Sequence, residues 1–193
     1  MQLTPAILLN AYSQGIFPMA DEDGTIYWYD PDPRAILPLE AFHLPRSLAR
    51  TIRRGVFEIR FDTAFHAVMT ACAQPAPGRD RTWISPEFIE VYAELHELGF
   101  AHSVESWQAG ELVGGLYGVT LGGLFAGESM FSRTTDASKV ALAYLVDHLR
   151  HQGFLLLDTQ FMTDHLRRFG AIEISRREYH ARLVKALAVW TRF

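Results

Sequence analysis

Residues 101–131, AHSVESWQAGELVGGLYGVTLGGLFAGESMF, decide the architecture. Three strand-like runs, about 101–107, 111–119 and 124–131, are joined by QAGE and LGGL. Joins this short, with glycine to take up the reversal, predict an antiparallel meander. Downstream, a capped helix over about 136–151 leads through Gly153 to FLLLDTQ at 154–160, a strand reached by a helix crossover. A short helix closed by Gly170, a strand at AIEI and a last helix follow, with Ser175 and Glu178 in capping-box spacing.

Upstream, residues 3–13 read as a helix, GIFPM and DEDG as turns, and TIYWY as a strand. DPDPR stops that strand, because proline removes donors and fixes φ. LPRSLARTIRRG is a helix from near Pro45 to Gly55, VFEIRF a strand, and DTAFHAVMTACA a helix capped by Asp62. APGRDR is a loop. SPEFIEVYAELHELG is a helix with Ser85 as N-cap, Pro86 first and Gly99 just past its end. This order is α+β, or mixed α/β, and not a doubly wound parallel sheet. No GxGxxG or Walker loop offers a phosphate cradle.

The 193 residues suit one domain, or one with a small appendage, and the 49% apolar content supplies a core. No run reaches the ~20 apolar residues of a membrane span, and the first residues lack the marks of a secretory signal. Cys72 is the only cysteine, which excludes an internal disulfide and suits a reducing compartment. The net charge of −4 hides segregation: residues 41–60 hold five Arg against one acid, and 151–193 hold seven bases against four acids. Such patches matter more than the total when the partner is a polyanion.

Chemistry-bearing residues gather in the last strands. Side chains alternate along a strand, so Asp158 and Gln160 share a face and Thr159 points the other way. A polar pair closing an apolar strand is expected at the sheet's open edge; a cap for the next turn is the alternative. Glu128 interrupts an apolar strand, where a carboxylate must be paired or neutralised. Gly127 beside it, with Gly114, Gly115 and Gly118 on the neighbouring strand, suggests room for a ligand. Arg46, Arg50, Arg53 and Arg54 share a helix face that repels itself, a cost that bound phosphates would offset; Arg167 and Arg168 extend it. Trp28, Tyr29 and Trp83 adjoin loops, as core lids or as stacking surfaces. His148 and His151, near a helix C-terminus, are expected to complement the helix dipole rather than to bind metal.

The blocks AYSQGIFPM, WYDPDPRAILP, TWIS, HELGFAHSVESW, ELVGGLYGV, LFAGESMFSR, ASK, DTQ and HLRRFGA, in this order, resemble the leucyl/phenylalanyl-tRNA–protein transferase family over almost the whole chain. The resemblance implies a small N-terminal domain, residues 1–43, and a GNAT-type acyltransferase domain, residues 44–193. It implies transfer of Leu, Phe or, less well, Met from aminoacyl-tRNA to proteins that begin with Arg or Lys, which marks them for N-degron degradation. Asp158 and Gln160 fall on the family's catalytic pair. Trp83, Glu128, Ser129, Met130 and Phe131 fall on its amino-acid pocket, with Leu116 as a further wall, and Trp28 and Tyr29 near the tRNA 3′ adenosine. An aminoacyl ester is already activated, so neither cofactor nor metal is expected; a cytoplasmic monomer is. In this reading the Gln160 carbonyl accepts from the attacking amine, and Asp158 orients Gln160 and stabilises the charge that develops on nitrogen. Two rivals remain: an acetyl-CoA-dependent GNAT N-acetyltransferase, to which SRTTDASK offers no glycine loop, and a non-catalytic tRNA-binding module, which leaves Asp158 and Gln160 without a task.

Overall fold

The structure, a computed structural model, describes residues 3–21, 23–75 and 82–193; the loop APGRDR expected at 76–81 lies outside them. Helix α1 (Pro5–Ser13) opens with the Thr4 hydroxyl accepting from the Ile7 N–H. β1 (Phe17–Ala20) and β2 (Ile26–Tyr29) form a two-stranded hairpin, so GIFPM supplies a strand rather than a turn. DPDPR ends β2, but the chain enters the main sheet at once as β3 (Arg34–Ile36). A 3-10 turn at Leu39–Ala41 precedes α2 (Arg46–Arg53), β4 (Glu58–Phe61) and α3 (Phe65–Cys72). α4 (Pro86–Glu97) begins as expected, with the Ser85 hydroxyl accepting from the Phe88 N–H. The meander follows as β5 (Ala101–Gln108), β6 (Glu111–Leu121) and β7 (Leu124–Ser132). Then come α5 (Ala137–His151), β8 (Leu156–Gln160), α6 (Asp164–Arg167), β9 (Ile172–Ile174) and α7 (Arg176–Leu187).

Seven strands make one mixed sheet in the order β4-β5-β6-β7-β8-β3-β9. Every pairing is antiparallel except β7–β8, the pair joined through the α5 crossover. The class is the mixed α/β one read from the sequence. α1, α3 and α4 bury their apolar faces on Tyr117, Val119 and Ala126. α2 and α5 pack against Val104, Leu116 and Phe125, which point the opposite way from the strands. α7 covers Ile36, Leu124, Leu156 and Ile174. Arg34–Ile36, inside the segment expected to stand apart as residues 1–43, is therefore an inner strand between β8 and β9.

Two local expectations change. Asp62 does not cap α3; it adopts φ +57°, accepts from the Ser103 N–H at 2.8 Å and meets His102 Nδ1 at 2.8 Å. The cap comes from across the sheet. Fully buried Glu105 accepts from the N–H groups of Thr63 and Ala64 at 2.9 and 2.8 Å, from the hydroxyls of Thr63 and Ser103, and from the Trp107 indole. A carboxylate there answers the positive end of the helix. The glycines of β6 make room for the chain rather than for a ligand. A Cβ on Gly118 would stand 2.3 Å from the Phe125 ring, and one on Gly114 would stand 2.5 Å from Ala137 Cβ.

Candidate active-site cleft

β7 and β8 pair from Leu124↔Leu156 to Ala126↔Asp158 and then part. A cavity of about 280 Å³ opens where they diverge. Gly127, Glu128, Ser129 and Met130 line one side, and Thr159, Gln160 and Phe161 the other. Leu116, Leu142, Leu145, Leu157 and Leu166 give it apolar walls, and Trp83 with Phe17–Met19 of β1 completes it. Gly127 fits the ligand reading its neighbours lose, since a Cβ there would meet nothing closer than 3.5 Å.

Glu128 is the extra residue of a β-bulge. Gly118 pairs with Gly127 and Tyr117 with Ser129, so Glu128 has no partner across the strand. Bulges re-aim side chains beside functional sites. The carboxyl accepts from the Tyr12 hydroxyl at 2.8 Å, and Tyr12 and Tyr92 hydroxyls lie 2.5 Å apart. Burial pushes Glu128 up to about 8, with the nearby Asp158 adding to the shift and the Tyr12 hydrogen bond and Arg34 only partly offsetting it. Burial and the Glu128 charge likewise raise both tyrosines.

Asp158 and Gln160 do not share a face. Gln160 adopts φ +58°, which breaks the alternation and leaves Thr159 and Gln160 both on the cavity while Asp158 is not among its lining residues. Asp158, 1% exposed, is bound by Arg34 through Nε–Oδ1 at 2.9 Å and Nη2–Oδ2 at 2.6 Å. The Tyr179 hydroxyl donates to Oδ2 at 2.8 Å, and the Gln160 backbone N–H donates to Oδ1 at 2.9 Å. Arg34 Nη1 also donates to the Gly15 carbonyl at 2.8 Å, so the pair ties β8 to the turn after α1. The Gln160 side-chain Nε2 is buried with no partner.

Among the other expected site residues, Trp83, Leu116, Ser129 and Met130 line the cavity. Phe131 does not; it is 8% exposed and packs into the core with α3 and α4. Trp28 and Tyr29 are exposed on β2, opposite Pro18 and Phe17 of the lining strand, and Tyr29 stacks on Phe17 at 5.8 Å. Arg46, Arg50, Arg53 and Arg54 are exposed on α2 and form no ion pair among the described residues. Exposed Arg167 and Arg168 follow the cavity-lining Leu166, and their neighbour Phe169 stacks on Phe42 at 5.6 Å, just before α2. Burial pushes the His148 imidazole down, which works against the charged form that would meet the helix dipole. Asp62, His96 and His102 could be grouped around an ion, but their atoms are engaged: His96 Nδ1 donates to the Ala101 carbonyl at 2.7 Å, and His102 bridges Asp62 and the Gly99 carbonyl.

Sequence reasoning missed Arg34, Tyr179, Tyr12, Tyr92 and His165. The signal for Arg34 was its place immediately after a strand-stopping DPDP. Apolar walls around a buried amide nitrogen and a protonable carboxyl form a cleft able to hold one apolar group beside polar atoms. The model of the leucyl/phenylalanyl-tRNA protein transferase family matches residues 36–184, and that of its N-terminal domain matches residues 1–32. The chain belongs to this family of aminoacyl-tRNA–protein transferases. It is 66% identical over 187 residues to the leucyl/phenylalanyl-tRNA–protein transferase of Herpetosiphon aurantiacus, covering 96% of this chain and 95% of that one. Those of Paramagnetospirillum magneticum and Phenylobacterium zucineum are 61% and 62% identical, over 96% and 94% of this chain and 90% and 83% of theirs. A solved structure of L-PGS from Bacillus licheniformis aligns with a TM-score of 0.43 and 14% identity, over 98% of this chain and 64% of that chain, a likeness too loose to bear on site or reaction. No helix among the described residues is long and apolar enough to cross a membrane.

Proposed function

We propose that the chain moves leucine, phenylalanine and, less well, methionine from aminoacyl-tRNA onto the α-amine of proteins that begin with Arg or Lys. The observation that carries this reading is the cleft between β7 and β8, where leucine walls meet the unpartnered Gln160 amide. The walls receive the donor's side chain, and they discriminate coarsely, at about 1–3 kcal/mol per methylene. The acceptor nitrogen attacks the ester carbonyl, the C–N bond forms, and the ester C–O bond breaks. The proton lost by the amine ends on the departing ribose oxygen. Gln160 holds both partners: its carbonyl accepts from the amine, and its free Nε2 donates to the ester oxygen as charge builds there. Asp158 is a positioning residue, matched by Arg34 and holding the Gln160 backbone in its left-handed turn. Glu128 is the carboxyl offered to the acceptor's cationic side chain, whose arrival would favour loss of the proton that burial retains. Trp28 and Tyr29 grip the 3′ adenosine, and the Arg face of α2 with Arg167 and Arg168 carries the tRNA backbone.

The N-terminal unit ends before Arg34, a boundary that the separate family matches to 1–32 and 36–184 support. The protein acts as a cytoplasmic monomer, and its products enter the N-degron pathway. An acetyl-CoA reading is weaker. At the start of α5 the Ser138 N–H is already given to the Ser132 hydroxyl at 3.2 Å, and Asp136 adds a negative charge where a pyrophosphate would sit. The test is incubation with labelled Phe-tRNA and an Arg-initiated peptide. Label is expected on that peptide and not on an Ala-initiated control; label on neither, with tRNA still bound, would leave a binding module.

A further inference from the structure

We infer that His165 holds the ribose hydroxyl next to the donor's ester and so positions the leaving side of the transfer. This rests on the reading above and names the protein group for the ribose end of the donor. Three buried polar atoms without a partner lie on residues that line the one cleft: Thr159 Oγ1, Gln160 Nε2 and His165 Nε2. An unmet buried polar atom destabilises a fold, and native proteins keep few of them. Several on one cavity mark where a ligand's polar atoms go.

His165 stands on α6, its ring edge-on to Phe169 at 5.1 Å. Burial, then the charges of Lys139 and Arg168, push its imidazole below the ordinary value. That favours the neutral ring, in which one nitrogen donates and the other accepts. Lys139 is shared with Asp136 at 2.7 Å, while Arg168 is exposed. Positive neighbours repel the donor's ammonium and favour electron-rich oxygen. Of the groups that an aminoacyl-ribose brings, the vicinal hydroxyl both suits a neutral ring nitrogen and tolerates that field. Fixing it fixes the adjacent ester oxygen. When the C–O bond breaks, the negative charge on that oxygen builds in the field of Lys139 and Arg168.

The test pairs a protein change with a substrate change. Transfer to an Arg-initiated peptide is measured with 3′-linked Phe-tRNA ending in adenosine or in 2′-deoxyadenosine, for the unaltered protein and for His165→Asn. Loss of the hydroxyl should lower kcat/KM about tenfold in the unaltered protein, the worth of one hydrogen bond, and less than twofold in His165→Asn. Equal losses in both would overturn the contact, because a merely structural role does not depend on the substrate's hydroxyl. Thermal melting checks the variant, and His165→Gln takes its place in the same cycle if it does not fold. An unaltered protein that does not transfer from normal Phe-tRNA would bring down the functional reading itself; one that transfers, with equal losses, would bring down this inference alone.

Discussion

Asp158 and Glu128 are carboxylates on strands that flank one cleft, and they are treated in opposite ways. Asp158 meets a guanidinium fork, a tyrosine hydroxyl and a backbone N–H, so its charge is matched and its lone pairs are used. Among the described residues Glu128 takes its hydrogen bonds from tyrosine hydroxyls, with Arg34 acting only through its charge, and burial pushes it up to about 8. The two differ in their partners, a cation for one and neutral hydroxyls for the other. A buried carboxyl with a cation becomes part of the frame, whereas one with neutral donors keeps a proton available near neutral pH. The resemblance put Asp158 in the catalytic pair; in the structure it is held by Arg34, Tyr179 and the Gln160 backbone, while Glu128 stands on the bulge facing the cleft.

Removing the cation should break the comparison hardest. Arg34→Met leaves Asp158 buried and unpaired, and should cost about 3–5 kcal/mol in urea unfolding. Adding Asp158→Asn should recover part of that loss, and strict additivity would show that the two do not form a unit. Glu128→Gln acts through pH. The native carboxyl titrates at about 8 and the unfolded one near 4.5, so between these values the unfolded state binds fewer protons. Stability from this group is present below pH 4.5 and is lost as pH rises to about 8, and the variant should lack that downward slope. Tyr92→Phe removes one hydroxyl from the chain behind Glu128, an effect of about 1 kcal/mol on stability. Arg50→Glu with Arg53→Glu should leave stability within about 0.5 kcal/mol. The pair should weaken tRNA binding and flatten its salt dependence; an unchanged salt slope would remove the Arg face from the interface.

What the sequence displayed is what is local. The meander joins and the caps at Ser85 and Ser175 stand next to the elements they control, and all were legible. What it hid is non-local. Arg34 lies 124 residues from Asp158, so neither betrays the other, and β3 is a three-residue strand that exists only because β8 and β9 flank it. Glu105 takes the capping role expected of Asp62 from about 40 residues downstream. The left-handed turn at Gln160 and the bulge at Glu128 shift side chains relative to the alternation that a two-residue period predicts. The resemblance, not the residue pattern, put Leu116, Ser129, Met130 and Trp83 together in an amino-acid pocket; all four line the cleft, while Phe131 turns into the core.

The central claim is that the free amide of Gln160, rather than the matched carboxylate of Asp158, meets the reacting atoms. The direct measurement is the single-turnover rate at which Gln160→Ala passes Phe from saturating Phe-tRNA to an Arg-initiated peptide. The rate should fall about 100-fold or more, as when a donor to a developing oxyanion is lost, with Phe-tRNA affinity and melting temperature unchanged. A rate close to that of the unaltered protein would contradict the account.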